Sequence, residues 1–419
     1  VTEVSVLNIL LHQQPIASIT YLGNDRSVFS FNADYLDQLK RPTLGLRFKD
    51  AQGELITDFR PTQKRLMPYF SNLLPEGHLR AYLSARAGVN PEREFFLLQA
   101  LGADLPGAIT VTSDQHGSIA NEDPDSSEKK FAQNKALRFS LAGVQLKFSA
   151  IQQASGGLTI PASGMGGSWI VKLPSMQFEA VPENEFSMMT LAKIIGIEVP
   201  PIQLIALDKI ENLPSGIGNL YGQAPAEAKA FAIQRFDRST QHVANNPPYA
   251  IHMEDFAQIF DVYAEDKYKK ASFASIARVL AAETPEADII EFIRRLTFNA
   301  LIGNADMHLK NWSLIYPDQI HARLAPAYDL VSTIAYIADD HAALNFSRTK
   351  RFDGFSREEL KHLAAKALLP EKIVLTTAAE TVALFHQAWQ QEKQHLPLTQ
   401  NMIEAIEKQL RIVPIVAEV

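Results

Sequence analysis

Apolar positions change their spacing along this chain, and the change divides it. From residue 4 to residue 32, short runs rich in β-branched and aromatic residues alternate with turn formers at Gln14-Pro15 and Gly23-Asn24-Asp25, the pattern of short strands. The first run, Val4–Leu11, lacks a basic leader and is too short to span a bilayer, so it predicts a strand. Asn72-Leu73-Leu74-Pro75-Glu76-Gly77 and Glu92–Leu101 then show helical spacing broken by Gly and Pro, which makes 1–111 a mixed β/α N-terminal domain. Between Ser113 and Lys135 large apolar residues give way to Asp, Glu, Ser, Asn and Lys, so 112–136 is expected to be a linker or exposed loop.

Beyond it, Val144–Ile151, Leu158–Ile160, Trp169–Leu173 and Phe231–Gln234 predict strands of a twisted antiparallel sheet. They are joined through Ser155-Gly156-Gly157 and the glycine-rich Ser163-Gly164-Met165-Gly166-Gly167-Ser168. Within this β-rich region, 137–238, one helix is expected from about Pro182 to Ile195, with Pro in its first turn, Glu183 and Glu185 near its positive end and Gly196 as its stop. From Met253 onward the pattern turns predominantly helical, over 239–419. Thr284-Pro285-Glu286 opens a helix whose Ile289, Phe292, Ile293, Leu296 and Ala300 share a face up to Gly303. Ser356-Arg357-Glu358-Glu359 reads as a capping box, and Pro370 closes the helix that follows it. Strands followed by helices predict an α+β class, a small β-rich lobe and a larger α-rich lobe behind the N-terminal domain. No internal repeat is visible.

Composition narrows what such a chain does. With 419 residues, 46% apolar and 21% charged, it is expected to fold into more than one unit and is neither disordered nor fibrous. The absence of cysteine excludes disulfides, thiolate zinc sites, iron–sulfur clusters and a cysteine nucleophile, and is compatible with a reducing cytoplasm. A net charge of −7 gives no whole-chain basic footprint for nucleic acid, so DNA contact needs a local patch or a partner. No stretch reaches the roughly 18 uninterrupted apolar residues of a membrane helix, and no membrane role is expected.

The densest chemistry lies in Gly303-Asn304-Ala305-Asp306-Met307-His308-Leu309-Lys310-Asn311, a loop between the strong helix and a strand expected at Trp312–Tyr316. A turn at Pro317-Asp318 and a strand near Ile320–Leu324 form a hairpin that brings Asp329 back beside it. Phosphoryl transfer needs a carboxylate for the acceptor hydroxyl and oxygen ligands for Mg²⁺ against the nucleotide phosphates. Asp306 suits the first role, and Asn311 and Asp329 the second, because Asp-x-x-x-x-Asn followed by a later Asp is the spacing of a kinase catalytic loop and its metal site. His308 is a poorer partner for a hard ion than these oxygens. Lys310 fits either a solvated surface or a phosphate-facing role.

Upstream, Lys172 sits in an apolar strand, either snorkelling to water or reaching a nucleotide phosphate, with Glu185 on the following helix as its candidate partner. Arg138–Lys147, with small residues at its centre, marks a turn or a backbone cradle for phosphates. Phe231–Arg238 reads either as a buried strand ending in a charged surface turn or as a lobe junction whose backbone pairs with adenine under Phe236.

Taken in order, these segments resemble the HipA-type serine/threonine kinase toxins of bacterial toxin–antitoxin pairs. The resemblance runs through Asn72-Leu73-Leu74-Pro75, Phe139–Lys147, Ile170–Pro174, Asn184-Glu185-Phe186, Gln234–Arg238, Glu254-Asp255, Gly303–Asn311 and Ala327–Leu330, nearly the whole chain. It implies a kinase-like two-lobed core that uses ATP and Mg²⁺, with Asp306 as catalytic base, Asn311 and Asp329 as metal ligands and Lys172 on the nucleotide phosphates. Ala142, Gly143, Val144, Gln234, Phe236, Asp237, His308 and Lys310 would complete the ATP site. Ser140 would be the autophosphorylation site, its phosphate preventing the loop from closing over ATP. The resemblance further implies a helix-turn-helix antitoxin of HipB type, operator DNA bound through it, and glutamate–tRNA ligase as a protein substrate. Two positions depart from the family: Leu146 stands for a polar residue before Lys147, and Gln234 for an acidic one. Two other readings keep parts of this site: a small-molecule phosphotransferase of choline or aminoglycoside type, and a nucleotide-sensing co-repressor without useful catalysis.

Overall fold

In the computed structural model, residues 5–113, 147–153, 157–161, 166–213, 227–239 and 249–419 are described. The first strand, β1 (Val6–Leu11), buries Leu7, Ile9 and Leu11 and leaves the residues between them half-buried, the two-residue period of a sheet covered on one face. With β2 (Gln14–Gly23), β3 (Arg26–Phe31), β4 (Thr62–Gln63) and β5 (Ile109–Ser113) it forms an antiparallel sheet in the order β4-β3-β2-β1-β5. Its first turn lies at His12 and Gln13, both of positive φ, and Pro15 pairs with Leu10 inside the ladder. The turn expected at Gln14-Pro15 therefore falls earlier; Pro15 follows a register shift between Ile9 and Leu10, where a missing N–H is tolerated. Phe29, Phe48, Tyr69, Phe70, Leu97 and Leu98 fill the core under this sheet, the last two from the helix Glu94–Leu101.

The second sheet comprises β6 (Lys147–Gln152), β7 (Leu158–Thr159), β8 (Trp169–Lys172), β9 (Ile202–Ala206), β10 (Ile210–Glu211) and β11 (Lys229–Gln234), in the order β10-β7-β6-β8-β11-β9. All pairs are antiparallel except β10 with β7. Ala230 to Ile233 of β11 are all buried, as a strand between two neighbours and under a helix requires. That helix, Val181–Ile194, carries Pro182 in its first turn and packs on β11 and β9. Most of the expected linker 112–136, Arg138 to Leu146 with Ser140, Ala142, Gly143 and Val144, and the turn residues Ser155, Gly156, Ser163, Gly164 and Met165 lie outside the described residues.

Met253 begins no helix. It lies in β12 (His252–Asp255), which joins β13 (Ser313–Tyr316) and β14 (Arg323–Leu324) in a small antiparallel sheet. The helix Phe256–Ile259 starts only after Asp255, whose carboxylate and Gln258 form a reciprocal cap. Strand pairing to a segment about 60 residues downstream is what local spacing missed. The helices Phe273–Glu283, Glu286–Ile302, Arg357–Ala367, Glu371–Glu392 and Gln400–Ile412 supply most of the largest core. Thr284 closes one helix by donating its hydroxyl to Leu280 O at 2.7 Å, and Pro285 caps the next without a side-chain bond. Ser356 caps its helix through Glu359 N, but the Glu359 carboxylate takes up the N–H groups of Ser347, Arg348 and Thr349, so the reciprocal half of the expected capping box is replaced by a loop anchor.

The molecule is thus α+β, a β-rich lobe on an α-rich lobe with a mixed domain ahead of them. Among the described residues no helix is long and apolar enough to cross a membrane.

The helix Glu286–Ile302 ends at Gly303, whose φ of 63° suits glycine and whose absent Cβ leaves room for Ile334, 2.6 Å from where a methyl would stand. Gly303→Ala adds left-handed strain and a clash at once. It is expected to lower stability by roughly 1–3 kcal/mol, read from the urea midpoint; an unmoved midpoint would show that the loop after this helix does not depend on that turn.

Candidate active site

A buried polar ladder holds the loop 303–311. Asn304, 2% exposed, donates from Nδ2 to Asn299 Oδ1 on the helix at 2.7 Å and to Asp329 O at 3.3 Å, while its Oδ1 accepts from Asp306 N at 3.1 Å. Thr333 accepts from Ala305 N and donates to Gly303 O. The hairpin is fixed to the same helix, because the buried carboxylate of Asp288 binds the Arg323 guanidinium and Leu324 N, and Arg295 reaches Ala325 O at 2.6 Å. Asp306 and Asp329 are therefore both referred to one helix. Asp306 itself is exposed; Asp329 is half-buried and held at a φ of 56°, a left-handed backbone that Asp tolerates better than most residues.

Across the cleft, Lys172 ends β8, between β6 and β11, and its side chain is 11% exposed. Its ammonium binds Glu185 Oε1 at 2.5 Å and also bonds Asp329 Oδ1. Burial works against the lysine's charge, but Asp329 and Glu185 outweigh it and hold its pKa well above the ordinary value. Asp329 goes the other way: burial resists ionisation, Lys172 overrides it, and the pKa falls to about 2. For Glu185, burial wins over the attraction of Lys172 and pushes the carboxyl up to about 7. The strand lysine, the helix glutamate and the post-hairpin aspartate are brought together as one charged cluster.

Asn311 and Asp329 line the same small cleft, with Asn304 and Tyr328. Asn311 donates its Nδ2 to Asp306 O at 2.8 Å, which leaves its carbonyl oxygen as the group available to a cation. A carbonyl and a carboxylate oxygen fit Mg²⁺, which takes one or two protein oxygens and completes its shell with phosphate and water. His308 is buried, and burial, against the pull of Asp306, lowers its pKa to about 4, so the imidazole is neutral at pH 7.

The remaining expected residues divide. Gln234 ends β11 with its N–H on Pro201 O, and the Phe236 ring lies 5.6 Å from the Tyr328 ring beside Asp329. The Asp237 carboxylate is buried and turned toward the N-terminal domain, accepting from Arg235, Arg238 and Gly107 N. Lys310 also points that way: its ammonium binds Asn72 O at 2.9 Å, Asn72 Oδ1 at 3.1 Å and Glu76 at 2.9 Å.

Sequence reasoning passed over several residues of this site. Asn304 lies inside the loop motif Gly303–Asn311, and its role needs the fold. Asn72 and Glu76 lie far upstream of the lysine they hold. Tyr268, whose hydroxyl donates to Asp306 Oδ1 at 2.6 Å, carries no motif at all. Asn184 pairs with Ser332 N and O and so ties the Glu185 helix to the segment after Asp329; its place beside Glu185 in Asn184-Glu185-Phe186 is the signal the sequence carries.

A β-rich lobe presenting a paired lysine to a loop with Asp306 and Asn311 and a post-hairpin aspartate defines a kinase-like two-lobed fold. Residues 139–389 match the HipA-like C-terminal domain and residues 7–112 the HipA N-terminal domain. The chain is 54% identical over 410 residues to a Sinorhizobium fredii protein named "Putative kinase Y4dM", covering 97% of this chain and 96% of that one. It is 26% identical over 311 residues to the serine/threonine-protein kinase toxin HipA of Shewanella oneidensis, 66% of this chain and 65% of that one. Among solved structures, a chain of the Shewanella oneidensis MR-1 complex of HipA, HipB and operator DNA superposes with a TM-score of 0.73 at 21% identity, over 99% of both chains. The protein belongs to the HipA family.

The raised pKa of Glu185 sets a pH window. Between its ordinary 4.5 and about 7 the folded chain holds a proton that the unfolded chain has released, so stability from this carboxyl is greatest on the acid side and declines as pH rises through that interval. Glu185→Gln should remove a decline on the order of 1–3 kcal/mol, measured by urea unfolding at pH 5 and pH 7.5. An equal difference between variant and wild type at both values would mean that Glu185 stays ionised throughout.

Proposed function

We propose that the protein is an ATP- and Mg²⁺-dependent serine/threonine kinase of HipA type, with Asp306 as its catalytic base. The observation that carries this reading is the cluster of Lys172, Glu185 and Asp329 facing the loop of Asp306 and Asn311. Kinases need such a lysine–glutamate pair beside a metal-binding aspartate. In this reading Lys172 leaves Asp329 to meet the nucleotide phosphates while Glu185 keeps its ammonium oriented. Asn311 and Asp329 hold Mg²⁺, which when bound neutralises charge on the phosphates. Gln234, Phe236 and Asp237 offer the lobe junction to the adenine, through backbone groups where the side chain is engaged elsewhere; His308, Ala142, Gly143 and Val144 complete the ATP surroundings, and Lys310 joins them when its ammonium leaves Asn72 and Glu76 for a phosphate.

Asp306 accepts the proton of a serine or threonine hydroxyl as that oxygen bonds to the γ-phosphorus and the bond from phosphorus to the ADP oxygen breaks. Family membership supports carrying over the rest: Ser140 as the autophosphorylated residue, a helix-turn-helix antitoxin of HipB type as the neutralising partner, operator DNA bound through it, and a cytoplasmic protein substrate, with glutamate–tRNA ligase the first to try. The complex of HipA, HipB and operator DNA in Shewanella oneidensis supports the antitoxin and DNA partners by analogy.

Intact-protein mass spectrometry after incubation with Mg²⁺ and ATP, followed by peptide mapping, tests the reading. Phosphate is expected on Ser140 in the wild type and absent in Asp306→Asn, with ATP binding largely retained because no metal ligand is lost. Undiminished transfer by the variant would remove Asp306 from the mechanism. A wild type that binds ATP, starts free of phosphate and gains none would favour a small-molecule acceptor or a silent regulator.

A further inference from the structure

The acceptor side of the cleft contains a side chain that the reading above leaves unused. Asp306 is exposed, and a free carboxylate there would rotate about its terminal bond. It does not stand free: Tyr268 donates its hydroxyl to Oδ1 at 2.6 Å. The phenol is itself held. Its ring meets the buried His308 ring edge-on, with centroids 5.0 Å apart, and Lys267 lies over it with Nζ 5.6 Å from the centroid. Lys267 is in turn bound by Glu76 of the N-terminal domain at 3.0 Å, and Lys267 O accepts from Leu309 N of the catalytic loop.

We infer that Tyr268 is the positioning residue for Asp306, fixing one carboxylate oxygen so that the other faces the acceptor hydroxyl. The inference rests on Asp306 being the base. The ring is 42% exposed, yet its contacts with an imidazole and a paired lysine, and the backbone bond that anchors the preceding residue, suit an orienter better than a plug that swings aside. The arrangement repeats the logic of other catalytic bases, which need a third group to hold their reactive atom on line. It also runs from the N-terminal domain, through Glu76 and Lys267, to the reacting carboxylate.

The test is Tyr268→Phe, which keeps the ring and removes the hydrogen bond. With Mg²⁺, ATP and the full-length protein, phosphate gain at Ser140 followed in single turnover is expected to slow about tenfold. The dissociation constant for ATP and the thermal midpoint should remain at wild-type values, a split that a merely structural role would not produce. Transfer at the wild-type rate while Asp306→Asn is inactive would overturn the inference and leave the kinase reading standing. A faster Tyr268→Phe protein would overturn it in favour of a plug. Transfer retained by Asp306→Asn would overturn both.

Discussion

A lysine ammonium inside a sheet is the constraint from which the site follows. Removing such a charge from water costs several kcal/mol unless negative partners and hydrogen bonds replace the lost hydration. Lys172 finds two such partners, one on the helix Val181–Ile194 and one beyond the hairpin of the α-rich lobe. One cation therefore ties together β8, the helix of its own lobe and a segment of the other lobe. Buried ion pairs add little net stability, yet breaking one strands a charge, so the cluster acts on the relative placement of these elements more than on the total free energy. It also leaves Asp329 ionised and Glu185 poised near neutrality, two carboxyls a few ångströms from one ammonium with opposite shifts.

Polar side chains buried behind the loop convert that placement into geometry. Asn304 uses both ends of its amide, joining the helix terminus at Asn299, the backbone of Asp306 and the backbone of Asp329. Asn184 does the same between the Glu185 helix and Ser332. Each amide would be costly if left unpaired, and being paired in one arrangement only, it specifies that arrangement.

The N-terminal domain belongs to this construction. Asn72 is buried, donates to Pro68 O and Val262 O, and accepts from Lys310. Glu76 bridges Lys310 and Lys267, and although burial opposes it, these two cations bring its pKa to about 2. Leu46 N reaches the buried Glu254 on β12, and Gly107 N reaches Asp237 at the lobe junction. The domain thus touches both the loop of Asp306 and the turn that follows β11, which gives the Asn72-Leu73-Leu74-Pro75-Glu76 segment a physical task at that loop.

Much of this was legible in the sequence because the forces that write it are local. Period-two and helical spacing, proline at a helix start and glycine at a helix end located β8, the helix after it and the helix Glu286–Ile302 to within about two residues. The cluster of Asp306, His308, Lys310, Asn311 and Asp329 stood out as polar chemistry on a loop and hairpin, and ordered motifs gave the family. What spacing could not say was where each side chain points. Lys310 and Asp237 turn toward the N-terminal domain, Met253 lies in a strand because its partner is far downstream, and Tyr268 reaches Asp306 from a segment with no pattern of its own. Elements and residue types follow from near-neighbour sterics and apolar periodicity, which the sequence determines by itself. The pairing of charges and amides depends on which buried groups end up within 3 Å of one another, and only the closed tertiary structure decides that.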